Sequence, residues 1–133
     1  MKQTVLFACV HNAGRSQMAA AFFNGLADPK KAVAVSAGTQ PGPKVHPEVV
    51  ASMSETGFDV GGAKPRLLTA ELGARANLLV TMGCGEACPT VPGVEREDWP
   101  FDDPKGRTLA EVREIRDAIL DRVERLVSDR DWG

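Results

Sequence analysis

The chain has 133 residues, 43% of them hydrophobic, enough to bury one core and too few for two ordinary domains, so a single domain over 1–133 is expected. Its 16 basic and 18 acidic residues leave a formal charge of -2, which excludes the broad positive field that holds nucleic acid or an anionic membrane surface. No run approaches the roughly 20 apolar residues of a membrane span, and Met1-Lys2-Gln3 ahead of a short apolar run is not a cleavable signal.

The cytoplasm is therefore the expected address. Three cysteines, an odd number, suit reactive thiols in a reducing compartment better than a secreted disulfide framework.

In chain order, Gln3 to Cys9 is a nearly continuous apolar run (Val5, Leu6, Phe7, Ala8), the pattern of a strand buried on both faces of a parallel sheet. From Ser16 a stretch of good helix formers predicts a first helix, closed by Asp28-Pro29. Ala32 to Ser36 predicts a second strand, and two glycines and two prolines between Gly38 and Pro43 predict a loop. Pro47 to Thr56 carries Val49, Val50 and Met53 at helical spacing, with Gly57 where a C-terminal cap belongs.

Leu67 to Ala76 reads as a short helix, Asn77 to Thr81 as a third buried strand, and Val94 to Trp99 as a more polar fourth strand at an edge. Thr108-x-x-Glu111 is a capping box, followed by Val112, Ile115, Ile119, Val123 and Leu126 three or four residues apart. The opposite face predicts Arg113/Asp117 and Asp121/Arg125 pairs on a solvated surface. The tail from Asp129 to Gly133 is expected to fray unless Trp132 docks, at a place the sequence does not give. This order predicts an α/β fold, a four-stranded, mostly parallel sheet flanked by helices, with ligands at the carboxyl ends of its strands.

Cys9-Val10-His11-Asn12-Ala13-Gly14-Arg15-Ser16 occupies that place, leaving the first strand and entering the first helix. Such a loop turns successive backbone N–H groups inward and aims a helix N-terminus at the same spot, which makes an anion site on a protein of negative charge. Gly14 supplies backbone freedom, and Arg15 adds a planar fork able to grip two oxygens of phosphate or arsenate. The same field favours the thiolate of Cys9, the nucleophilic form. Asn12 and Ser16 can orient it, and His11 is placed at the rim. Taken alone, Cys9 and Arg15 would read better as a buried strand-end cysteine and a surface helix residue; the loop placement, Gly14 and the two further cysteines reverse that.

The segment Val5-Leu6-Phe7-Ala8-Cys9-Val10-His11-Asn12-Ala13-Gly14-Arg15-Ser16-Gln17-Met18-Ala19 resembles the low-molecular-weight phosphatase family, specifically its arsenate reductase branch. Ser36-Ala37-Gly38-Thr39, Leu79-Val80-Thr81-Met82-Gly83-Cys84 and Trp99-Pro100-Phe101-Asp102-Asp103-Pro104 extend the resemblance along nearly the whole chain. It implies the phosphotyrosine phosphatase I-like fold, Cys9 as nucleophile, and Val10, His11, Asn12, Ala13, Gly14, Arg15 and Ser16 as the substrate-binding loop, with phosphate or sulfate as mimics of arsenate.

A leaving hydroxide or alkoxide needs a positioned acid. The resemblance puts that role on Asp103, directly before the proline, with Asp102 as a poor substitute; without it, Asp-Asp-Pro-Lys-Gly is an ordinary turn. It also gives Cys84 and Cys88 a redox role. In the thioredoxin-coupled branch one thiol attacks the arsenic adduct on Cys9, arsenite leaves, and a Cys84–Cys88 disulfide is finally passed to thioredoxin. The spacing here leaves open which of the two attacks first. Residues four apart on a helix hold their β-carbons about 5–6 Å apart, too far for a disulfide, so the segment must unwind or already be loop.

Other readings are weaker. A metal site on Cys84 and Cys88 with His46 or His11 has poor zinc spacing, and Ala20 stands where several relatives carry a glutamate that helps bind a monovalent cation, so no such site is expected. Gly62-Ala63-Lys64 departs locally from the pattern. A low-molecular-weight tyrosine phosphatase would share Cys9, Arg15 and Asp103, yet such enzymes commonly place aromatics after the Asp-Pro, where this chain has Lys105-Gly106. A non-catalytic thiol module would leave Arg15 and Asp103 without a use. The expectation is a monomeric arsenate reductase for arsenic detoxification, with no bound cofactor and thioredoxin or a related thiol as external reductant.

Overall fold

A computed structural model describes residues 2–83 and 91–133. The element order is β1 (Gln3–Cys9), α1 (Arg15–Leu26), β2 (Ala32–Gly38), α2 (Pro47–Ser54), α3 (Ala70–Ala74), β3 (Leu78–Thr81), β4 (Glu95–Asp98) and α4 (Leu109–Asp129). The strands form one sheet in the order β2-β1-β3-β4, and all three pairings are parallel. The apolar β1 is thus central, and β4, with its Glu-Arg-Glu-Asp sequence, lies at the edge as its polarity predicts.

Side chains alternate across β1 and sort the core into two layers. Val5, Phe7 and Cys9 face a large cluster with Met18 and Phe23 of α1, Val49 and Met53 of α2, and Val112, Ile119 and Val123 of α4. Leu6 and Ala8 face a smaller cluster with Ala37, Ala76 and Leu79, against which Leu68 and Leu72 pack. Phe7 sits at the centre of the large layer, with ring centroids 6.0 Å from Phe23 and 5.5 Å from Trp99. Ile119 is completely buried there. Ile119→Ala should lower unfolding free energy by about 2–4 kcal/mol through lost burial and the cavity left behind, read as a shifted urea midpoint with an unchanged slope.

Several boundaries moved for local reasons. β2 runs to Gly38 because the Arg66–Leu68 segment bonds to it: Gly38 N donates to the Arg66 carbonyl (2.9 Å) and Leu68 N to the Gly38 carbonyl (2.8 Å). With Leu67 in that bridge, α3 begins only at Ala70, capped by Thr69, whose side chain accepts from Leu72 N. The capping box of Thr108 and Glu111 at α4 is present in both directions.

Two surface expectations are corrected. Arg113 does not reach Asp117; it pairs with Glu55 just beyond α2 (2.6 Å), while Asp117 pairs with Arg116. Arg116 also donates to Glu55 and to the Ser52 carbonyl, so this part of the charged face ties α4 to α2. The Asp121–Arg125 pair is present. The tail does not fray: Asp28 N donates to the Trp132 carbonyl (2.7 Å), the Trp132 ring lies edge-on to Phe23 at 5.8 Å, and Arg130 stacks over it at 5.5 Å.

Candidate active site

The carboxyl end of β1 delivers Cys9, 2% exposed, to the turn that enters α1. Along this turn the carbonyls all point outward to donors. Cys9 O accepts from Thr39 N, Val10 O from Gln40 N, His11 O from Gly42 N, Ala13 O from His46 N and Gly14 O from Met18 N, at 2.8–3.1 Å. Asn12 O accepts from Gln17 Nε2 at 3.1 Å. In a trans peptide the next residue's N–H points opposite to the carbonyl, so the amides from Val10 to Arg15 turn to the concave side, where the N-terminus of α1 also points. Such a nest of backbone N–H groups is chemically suited to an oxyanion.

A polar relay holds its floor. Asn12 is in the left-handed region (φ 50), which asparagine tolerates better than most residues. Its Oδ1 accepts from Arg66 N (3.0 Å) and from Gln17 Nε2 (3.2 Å). Its Nδ2 donates to Ser16 Oγ (2.7 Å), which lies 2.8 Å from Cys9 Sγ. Because Ser16 Oγ accepts from Asn12, its own hydrogen is available to the sulfur, and a donated hydrogen bond stabilises a thiolate.

Arg15, 5% exposed, reaches across the nest. Its Nη1 donates to the Phe101 carbonyl (3.1 Å) and its Nη2 lies 3.7 Å from Asp103 Oδ2. Its buried Nε has no protein partner among the described residues. A buried donor left unpaired costs about 1–3 kcal/mol, and an oxyanion in the nest would take that bond.

Two glycines make room. A Cβ at Gly14 would fall 2.5 Å from Pro104 Cγ, so the glycine lets the Asp103-Pro104 turn approach the loop. Gly83, at φ +92, would place a Cβ 2.2 Å from Arg15 Nη1. Gly83→Ala should therefore both strain the backbone and displace the guanidinium, raising the Kd for phosphate at least tenfold by calorimetry, since one charge-assisted bond is worth about 1.5–3 kcal/mol.

Asp103 Oδ1 accepts from Lys105 N (3.0 Å), an Asx turn that fixes the carboxylate on the Arg15 side. Asp102 is exposed. His11 is half-buried, its Nδ1 3.2 Å from the Gln40 carbonyl, a rim position. His46 donates its backbone N–H to the Ala13 carbonyl (3.0 Å), and its pKa falls below the ordinary value, chiefly through burial, opposed by the charge of Asp103 and aided by His11.

Cys9, the loop 10–16 and Asp103 thus come together as the sequence suggests, whereas Cys84 and Cys88 lie outside the described residues. Among the described residues no group of three or more His, Cys, Asp or Glu side chains could hold a metal, and no helix is long and apolar enough to cross a membrane. Residue type and order mark neither Arg66 nor the closeness of Gly83 to Arg15. Arg66 acts on Asn12 through its backbone amide, which leaves no mark on residue type, and Gly83 reads as a mere loop residue until Arg15 is placed above it.

A family model for low molecular weight phosphotyrosine protein phosphatase matches residues 4–130. The chain belongs to this family. Within it the chain is 40% identical to a putative arsenate reductase of Halobacterium salinarum over 121 residues, 88% of this chain and 85% of that protein. Among solved structures, a thioredoxin-dependent arsenate reductase of Corynebacterium glutamicum superposes with a TM-score of 0.82 at 36% identity, covering 96% of this chain; the chain spans 61% of that protein's length. An arsenate reductase in the phosphate binding state superposes with a TM-score of 0.80 at 30% identity, covering 96% of this chain and 98% of that one.

Proposed function

We propose that this protein reduces arsenate to arsenite, with Cys9 as nucleophile and Cys84 and Cys88 as the redox pair. The oxyanion half of this reading rests on a buried Arg15 Nε with no partner among the described residues, at the end of a loop whose carbonyls are all turned away to other donors. The reductase half rests on the two further cysteines and on the arsenate reductases among the relatives.

In the first step the Cys9 thiolate attacks arsenic, an As–O bond breaks, and Asp103 protonates the departing oxygen so that water leaves. Arg15 and the nest amides stabilise the charge that develops on the remaining oxygens. Next, a thiolate from Cys84 or Cys88 attacks Cys9 sulfur: an S–S bond forms, the S–As bond breaks, and its electron pair stays on arsenic, which leaves as arsenite. The third cysteine attacks that disulfide, freeing Cys9 and leaving Cys84 bridged to Cys88. An external dithiol, thioredoxin in our reading, then takes up the disulfide, and no bound cofactor is needed. We place the enzyme in the cytoplasm as a monomer serving arsenic detoxification, because each turnover consumes cellular thiols.

The test is a single turnover without external reductant. Pre-reduced protein mixed with arsenate should release arsenite stoichiometrically and retain a disulfide visible by mass spectrometry, whereas Cys9→Ser should release none. Arsenate left untouched while an aryl phosphate is hydrolysed would replace this reading with the tyrosine phosphatase one.

A further inference from the structure

Residues two apart in a strand share a face, so Glu95 and Glu97 of β4 and the following Trp99 point the same way, toward α4. Trp99 is buried in the core layer that α4 covers. The half-buried Glu97 gathers three donors. Its Oε1 accepts the Trp99 indole N–H (3.0 Å) and lies 3.5 Å from Arg122 Nη2, and its Oε2 accepts from Arg130 Nη2 (3.1 Å). The Arg122 guanidinium also stands over the indole, 5.0 Å from the ring centre. The charge of Glu97 thus ties the edge strand to the end of α4, while one of its oxygens serves the tryptophan.

From Trp99 the chain runs directly into the site. Trp99 N donates to the Thr81 carbonyl (2.7 Å) at the end of β3, and Pro100 follows, with its φ fixed by the ring. Phe101 packs edge-on to the indole at 6.5 Å, and its carbonyl accepts from Arg15 Nη1. Two residues later Asp103 lies beside the same guanidinium. The indole is held between Phe7 and Arg122. A buried donor that loses its acceptor is costly enough to turn the ring toward another, and so short and stiff a link passes that turn on to the Phe101 carbonyl and Asp103.

We propose that Glu97 is a positioning residue for the reaction at Cys9: by accepting the indole N–H it fixes Trp99, and through Pro100 it sets the Phe101 carbonyl that orients Arg15 and the place of Asp103. The proposal rests on the reading of the Cys9 loop as the arsenate site. The two roles of Glu97 come apart by substitution. Glu97→Gln keeps an oxygen for the indole and loses the charge; Glu97→Leu loses both at similar size.

The experiment measures the single-turnover rate of arsenite release, phosphate binding by calorimetry, and Trp99 emission in a Trp132→Phe background, which leaves one indole. Glu97→Leu should slow arsenite release about tenfold or more, because a misplacement of about 1 Å can cost 10²-fold. Its Kd for phosphate should stay within about threefold, since the loop amides and the Arg15 charge remain. Glu97→Gln should release arsenite within about threefold of the parent rate, and the Trp99 emission maximum should move in the leucine variant only. Trp99→Phe, which keeps a ring and removes the donor, should reproduce the slow release even where Glu97→Leu does not fold. Equal slowing by glutamine and leucine would make Glu97 an ion-pair residue that only holds β4 on α4, and an unchanged rate in Glu97→Leu would cut the link to the site; either result overturns the proposal while leaving the arsenate site standing. A parent chain that neither binds phosphate nor releases arsenite overturns the arsenate reading and this role with it.

Discussion

Arg15→Lys should lower kcat/KM for arsenate by about 10²–10³-fold, the loss usually seen when one preorganised oxyanion donor is removed from a closed site. The guanidinium at this position does three things at once. It donates to the Phe101 carbonyl, lies beside Asp103, and carries a buried Nε without a partner among the described residues. An ammonium has no planar fork and cannot satisfy the carbonyl and the anion together. The positive charge survives the substitution, so a drop of this size would show that geometry matters more than charge. Steady-state kinetics with arsenate, beside an unfolding curve for the same variant, separates lost catalysis from lost fold. A variant within a factor of two or three of the parent would mean that the backbone amides carry the oxyanion alone.

Asp103→Asn should lower kcat by about 10²–10⁴-fold, the usual worth of a positioned general acid, while leaving anion affinity equal or tighter. The direction follows from position. Asp103 lies 3.7 Å from the guanidinium that we propose grips the anion, so removing its carboxylate removes a competitor. The Asx turn survives, because the asparagine oxygen can still accept from Lys105 N. Calorimetry with phosphate reads the first half of this expectation and arsenate turnover the second. Parallel falls in affinity and turnover would make Asp103 a structural residue. Asp102, exposed and one residue away, should tolerate the same change with little effect.

What the sequence shows of this fold follows the strength of its periodic signals. The apolar run of β1 and the heptad-like spacing of Val112, Ile115, Ile119 and Val123 in α4 place both elements within a residue or two, because burial on fixed faces selects the residues themselves. The polar β4 is legible as an edge for the same reason.

Legibility stops where backbone atoms or distant partners decide. Leu67 joins a bridge to Gly38 because of parallel pairing that no local propensity encodes. Arg113 has an acidic neighbour at ideal helical spacing, yet it takes Glu55, 58 positions away, which tertiary packing brings within bidentate reach. Trp132 docks because folding brings the Phe23 ring into a T-shaped pair with it. In the site, the thiol, the arginine and the aspartate can be named from residue type and order. Their support cannot: Arg66 N on Asn12, and the empty side-chain position of Gly83 under Arg15, exist only once the chain has folded.

The most direct measurement of the central claim is steady-state arsenite release from arsenate with thioredoxin, thioredoxin reductase and NADPH, for the parent chain and for Cys9→Ser, Cys84→Ser and Cys88→Ser. The three-cysteine relay predicts turnover by the parent and failure of all three variants to cycle, with arsenite released at most once per molecule by whichever of Cys84→Ser and Cys88→Ser keeps the attacking thiol. Continued cycling by both Cys84→Ser and Cys88→Ser, with only Cys9 required, would contradict it.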